Sequence, residues 1–160
     1  VMRTIPPSQA GGMNVAEIRG TSWENYAIQF DFFFENPDEF GAYYFWLRGR
    51  ITDCPPTMAA MQAYSLLISP DKIWVDKAIC QEGSGYVLIK NDRNFMLEGW
   101  HTVQYVFIDN RIQVYIDGEK YLDYTDADEP FGGGDLWIET SGESELLVDN
   151  LVIYEVVADE

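Results

Sequence analysis

The stretch Gly99–Tyr124, GWHTVQYVFIDNRIQVYIDGEKYLDY, decides the fold. Val103, Tyr105 and Phe107 alternate with Thr102, Gln104 and Val106 up to the turn pair Asp109-Asn110. Ile112, Val114 and Ile116 then alternate with Gln113, Tyr115 and Asp117, and Asp117-Gly118 makes a second turn. A two-residue Asp-Gly loop is a strong hairpin signal because both residues tolerate positive φ. The period of two gives each strand one face toward a core and one toward solvent or a ligand. The stretch therefore reads as three antiparallel strands.

Working outward, strands are expected at Val15–Arg19, Tyr26–Phe34, Ala42–Arg48, Tyr64–Ser69, Ile73–Asp76, Tyr86–Lys90, Leu136–Thr140 and Leu146–Glu155. Tyr26, Ile28, Phe30 and Phe32 share one face of the second of these; Ala27, Gln29 and Asp31 share the other. Residues 49–62 read as a loop with one helical turn around Met58 to Gln62, and Asp126–Gly134 as an acidic, Gly-rich loop. Turn residues recur every 8–12 residues or so, the spacing of an all-β sandwich or barrel. No window shows a convincing 3.6 period, so very little helix is expected. The expected organisation is an irregular N-terminal segment, 1–14, and a single domain over 15–157.

With 160 residues, the chain can bury one good core. It holds 27 acidic against 10 basic residues, a net charge of −17. Nucleic acid and anionic membrane surfaces both select clustered Lys and Arg, and this chain has no such cluster. The acidity serves solubility or, on a sharper reading, binds a cation such as Ca²⁺ through oxygen ligands. No run of about 18 apolar residues is present, so membrane insertion is not expected. Val1 to Pro7 lacks the apolar run of a secretory leader, which suits either a mature form or a domain of a larger protein. Cys54 and Cys80 lie outside any CxxC pair, and one histidine cannot complete a zinc site with them. They are either two free thiols or a disulfide tethering two irregular stretches, worth about 3–4 kcal/mol in the chain-entropy model.

Aromatics make up 15% of the chain, with five Trp and ten Tyr, more than core packing needs. If Tyr43, Phe45 and Leu47 face the core, Tyr44, Trp46 and Arg48 face outward together. The same parity exposes Gln104, Gln113, Tyr115, Trp137 and Glu139. Should these strands share one concave sheet, they form an aromatic platform edged by polar groups, suited to the apolar faces and polar rims of sugar rings. The competing reading has a loop over 49–62 cover this face, making Trp46 and Trp137 second-core residues.

In order, Trp23–Asp31, Tyr44–Arg48, Tyr64–Ile68, Trp100–Val103, Ile112–Gly118, Leu136–Ile138 and Val148–Ile153 resemble motifs of the concanavalin A-like lectin/glucanase superfamily, over roughly residues 15–155. The likeness extends to its laminin-G-like, 3-keto-disaccharide hydrolase-type and glycosidase-attached sugar-binding domains. The resemblance implies an all-β, two-sheet antiparallel jelly-roll sandwich. It also implies a structural Ca²⁺, with Asp149 the first candidate ligand and Asp126 and Asp128 of the acidic loop the next. Retaining glucanases of the superfamily use E-x-D-x-x-E, which sets two carboxylates about 5–5.5 Å apart. That pattern is missing here: a Ser-Gly turn divides Glu139 from Glu143 and Glu145. His101, the sole imidazole, stands at a strand start with no Ser or Cys motif beside it. No catalytic residue is assigned. The expectation is an extracellular or cell-surface, non-catalytic carbohydrate-binding module, part of a larger protein, with an oligo- or polysaccharide as partner. A laminin-G-type protein-interaction module is the alternative, followed by a glycoside-processing enzyme domain.

Overall fold

The computed structural model describes residues 2–3, 13–18, 23–35, 44–54, 61–69, 72–80, 85–92, 98–141 and 146–157. Twelve strands follow in order: β1 (Met2–Arg3), β2 (Met13–Ile18), β3 (Tyr26–Phe34), β4 (Tyr44–Asp53), β5 (Met61–Ser69), β6 (Lys72–Ala78), β7 (Tyr86–Asp92), β8 (His101–Ile108), β9 (Arg111–Ile116), β10 (Glu119–Thr125), β11 (Asp135–Ser141) and β12 (Leu146–Glu155). Among the described residues there is no helix. Two six-stranded antiparallel sheets form a jelly-roll sandwich. The first runs β1-β12-β3-β8-β9-β10 and the second β2-β11-β4-β5-β6-β7.

The predicted alternation holds through the core. Tyr26, Ile28, Phe30 and Phe32 of β3, Val103, Tyr105 and Phe107 of β8, and Ile112, Val114 and Ile116 of β9 are all buried. They pack with Tyr64, Leu66 and Ile68 of β5, Ile73 and Val75 of β6, and Leu136 and Ile138 of β11. At about 1.5–3 kcal/mol per buried large apolar side chain, this layer is the main stabilising term. Asp117 and Gly118 both take positive φ, 53° and 79°, the backbone a tight hairpin loop requires.

The largest boundary differences from the sequence expectation are at the N-terminus and between β4 and β5. The first 14 residues contribute strand β1 and the beginning of β2, so each sheet takes an edge strand from the N-terminal region. The expected loop 49–62 is shorter. β4 continues to Asp53 through a bulge at Arg50, whose φ is 55°, and β5 already begins at Met61. Gln62 is therefore strand, and residues 55–60 lie outside the described residues. Hydrophobic alternation does not reveal a bulge, because the extra residue interrupts the period it would be read from.

Gly49, just before the bulge, has a core-facing position. A Cβ there would overlap the Phe107 ring, coming within 2.6 Å of Cε2 and 2.9 Å of the Tyr26 hydroxyl. The close approach leaves room only for glycine.

Candidate functional site

Polar chemistry concentrates in three places: one loop end of the sandwich and the outer faces of the two sheets.

At the loop end the bulge turns Arg50 inward, where it is 1% exposed. Its guanidinium donates to the carbonyls of Asp109 (2.5 Å), Phe131 (2.9 Å) and Glu24, and lies over the Phe107 ring. One side chain thus ties three loops together. Beside it, Lys77 continues the core-facing row of Ile73 and Val75 and pairs with Asp126 at 2.7 Å. Lys77 also donates to the carbonyls of Asp128 and Glu129. The Tyr64 hydroxyl donates to Asp126 Oδ2 (2.6 Å) and accepts the Phe131 N–H (2.9 Å); Asp126 Oδ1 accepts the Asp128 N–H (3.1 Å). Burial pushes the Asp126 carboxyl up, but its bonds from Lys77, Tyr64 and the Asp128 backbone outweigh that and hold it below the usual carboxylate range. Burial, with the bond to Asp126, pushes the Tyr64 phenol well above its ordinary value. A cavity of about 990 Å³ opens here, bounded by Lys77, Asp126, Phe131 and the Cys54–Cys80 disulfide, whose Cα atoms are 5.6 Å apart.

Within the acidic loop the Asp126 carboxylate is thus fully engaged. Lys77 supplies the cation that pairs with Asp126, while Asp128 takes part through its backbone N–H and carbonyl. Asp149 stands apart on β12, opposite Asp31 in register, with its Oδ1 accepting the Asn150 N–H at 2.9 Å. Among the described residues no three His, Cys, Asp or Glu side chains converge as a metal site needs.

The expected platform divides between the two sheets. Gln104 on β8 and Gln113 and Tyr115 on β9 belong to the first sheet; Trp137 and Glu139 on β11 belong to the second. Tyr44, Trp46 and Arg48 also lie in the second sheet, on β4, where their side chains fall outside the described residues. Strand alternation aimed each side chain, but the jelly-roll crossovers sent β8–β9 and β4–β11 to opposite layers.

On the second sheet, register assembles two rows. One runs Glu17, Trp137, Arg48, Ser65, Asp76; the other runs Glu139, Trp46, Leu67, Trp74. Trp137 Nε1 donates to Glu17 Oε1 at 2.6 Å, and the Lys72 ammonium lies over the Trp74 ring at 4.7 Å. Glu139 is 3% exposed, and Ser65, Leu67 and Asp76 are also buried. Glu17, Trp74 and Asp76 were missed from sequence. The alternation Ile73, Val75 against Trp74, Asp76 carried the signal for the latter two.

On the first sheet, register aligns Gln29, Gln104 and Tyr115. Together with Thr102, Asp117 and Gly118 they line a depression of about 470 Å³. Gln113 is one row away and donates to Asp123 (3.1 Å). His101, at the start of β8 on the parity of Val103 and Tyr105, lies by core Phe32, with Nδ1 2.7 Å from Asp117 Oδ2 and Nε2 3.2 Å from the Glu98 carbonyl. The imidazole is a tied strand-end group.

No family model matches the chain, and no curated protein matches it. Solved structures do. The carbohydrate-binding module CBM66 from Bacillus subtilis superposes with a TM-score of 0.60 at 12% identity, covering 92% of this chain and 84% of that one. A Bacillus subtilis protein of unknown function with a galectin-like fold gives 0.71 at 12% identity, covering 94% and 81%. A Bacillus licheniformis beta-glucanase gives 0.57 at 12%, covering 86% and 69%. At these identities the likeness is one of fold. The chain has the concanavalin A-like jelly-roll fold, a fold that carries carbohydrate-binding modules and glucanases alike.

Proposed function

We propose that the protein is a non-catalytic carbohydrate-binding module whose sugar face is the outer surface of the second sheet. One observation carries the reading: register gathers three tryptophan positions, Trp46, Trp74 and Trp137, with Arg48 and Glu17 on two adjacent rows, in which Asp76 and Glu139 are buried. Indole faces stack on the C–H faces of sugar rings, while charged and amide groups fix the hydroxyls. A fold shared with a carbohydrate-binding module supports the reading as analogy. The disulfide supports an extracellular or cell-surface setting, because such bonds persist in oxidising compartments. The lack of E-x-D-x-x-E supports a binding role over hydrolysis. The same reading includes a structural Ca²⁺ at Asp149, supported only by the oxygen chemistry of its carboxylate.

A glycan array with wild type, Trp137→Ala and Trp46→Ala tests the proposal. Saturable binding to at least one glycan, lost in both variants without reducing-sugar release, is the expected result. Binding that both variants retain moves the site off this sheet. No binding to any glycan favours a protein-interaction module instead. Adding EDTA tests the cation: a drop in melting temperature supports it, and an unchanged one removes it.

A further inference from the structure

We infer that the outer face of the first sheet is a second, separate binding site for a neutral pyranose, making the protein bivalent. The observation behind it is a difference in how polar groups are used along two adjacent rows. In the row Asp31, Thr102, Asp117 the groups are spent on one another and on their neighbours. Thr102 Oγ1 donates to Asp31 Oδ1 (2.6 Å), Asn150 Nδ2 donates to Asp31 Oδ2 (2.6 Å), and the Thr102 N–H donates to Asp117 Oδ1 (2.9 Å). In the row Gln29, Gln104, Tyr115 they are not. Gln104 Nε2 donates to the exposed Tyr154 hydroxyl, leaving its Oε1 open. Among the described residues, the Gln29 amide and the Tyr115 hydroxyl have no hydrogen-bond partner. All three residues are half-buried, held by β-ladder register, and line the same 470 Å³ depression.

The chemistry of this row selects the ligand class. Two side-chain amides and a phenol offer donors and acceptors side by side, the match for vicinal hydroxyls, which are themselves both. The Tyr115 ring adds an apolar face, and the volume falls within the range of small-ligand pockets, about 300–1,000 Å³. Carboxylates at Asp31, Asp117 and Asp149 rim the site, on a chain of net charge −17, so uronic acids and sulfated sugars are repelled. At the far end Lys120 is already paired with Asp123 at 2.7 Å and does not offset that field. Gly118, with nothing within 4 Å of a Cβ position, leaves the hairpin side of the depression open for a glycan chain to leave. This site does not depend on the second-sheet reading: the two faces lie on opposite layers of the sandwich and share no residue.

The test is a ¹H–¹⁵N titration of the whole chain with D-glucose, D-galactose and D-mannose, with D-glucuronate as the anionic control. One neutral hexose is expected to shift the Gln29 and Gln104 side-chain amides saturably, in the millimolar range typical of single weak contacts. Glucuronate should shift them at least about tenfold less tightly, as should the neutral hexose in Tyr115→Ala, while Trp137→Ala leaves them unchanged. Gln29→Ala provides a second probe should Tyr115→Ala fail to give a dispersed spectrum. Saturable shifts at Gln29 and Gln104 without any at Trp137 support this site while overturning the second-sheet reading. Shifts at the Trp137 indole alone do the reverse. The inference is overturned if no neutral hexose moves the two amides, if glucuronate binds as well as the hexoses, or if Tyr115→Ala and Gln29→Ala both leave the Gln104 shift intact.

Discussion

At the loop end, Arg50, Lys77, Tyr64 and Asp126 spend their polar atoms on one another and on loop carbonyls. Across the first sheet, Gln29, Gln104 and Tyr115 keep polar atoms unspent while their backbones are held just as firmly by β-ladders. Both regions are polar and neither is disordered in its pairing. The difference is burial. Where charged groups leave water, each must be matched or the fold loses several kcal/mol, so among these four residues only Arg50 Nε is left without a hydrogen-bond partner. Where side chains stay half-buried on a sheet face, water satisfies them until a ligand does. The 990 Å³ cavity at the loop end is therefore a poorer candidate for recognition than the 470 Å³ depression.

Substitutions can break this contrast, and the largest effect belongs to the loop end. Arg50→Met removes the donor to three loop carbonyls and should cost about 3–5 kcal/mol in urea unfolding. A loss below about 1 kcal/mol would mean the loops hold themselves. Asp126→Asn leaves the Lys77 ammonium buried without its counter-charge and should cost about 3 kcal/mol at neutral pH. Its pH dependence has a definite sign. The folded carboxyl titrates below the unfolded value of about 3.9, so its contribution is fully present above that value and is lost as pH falls through the folded one. The stability gap between wild type and Asp126→Asn should therefore narrow in acid; a gap that widens there contradicts the assignment.

Reducing Cys54–Cys80, or replacing both with Ser, frees a segment with a sequence separation of 26 and should lower stability by about 2–4 kcal/mol. Gly49→Ala pushes a methyl against Phe107 and should cost about 1–3 kcal/mol, with the neighbouring Tyr26 ring current shifting in the NMR spectrum. Smallest of all, Gln29→Ala should leave stability within about 0.5 kcal/mol of wild type. If it destabilises as much as the loop-end changes, the open row of the first sheet is structural and the contrast fails.

Much of the architecture was legible in the chain. The β8–β9–β10 meander, its two turns, and the core faces of β3, β8 and β9 follow from a period of two, which depends only on neighbouring residues. The candidate site was legible only residue by residue. Parity correctly separated Gln104, Gln113, Tyr115 and Trp137 from the core, yet gathered them onto one platform that the fold splits. Arg50 and Lys77 gave no local sign of their roles; in sequence they are ordinary charged residues. The bulge that turns Arg50 inward is visible only as a shift in register against β5 and β11.

The sequence by itself determined which side of each strand is apolar, where the hairpins turn, and that the product is an antiparallel sandwich, because alternation and turn chemistry are local. Only the tertiary structure decided which strands became neighbours, that Cys54 and Cys80 meet across 5.6 Å, and which polar groups were consumed by the fold. Those outcomes depend on long-range register, and a side chain's direction relative to its own strand carries no information about the strand that will lie beside it.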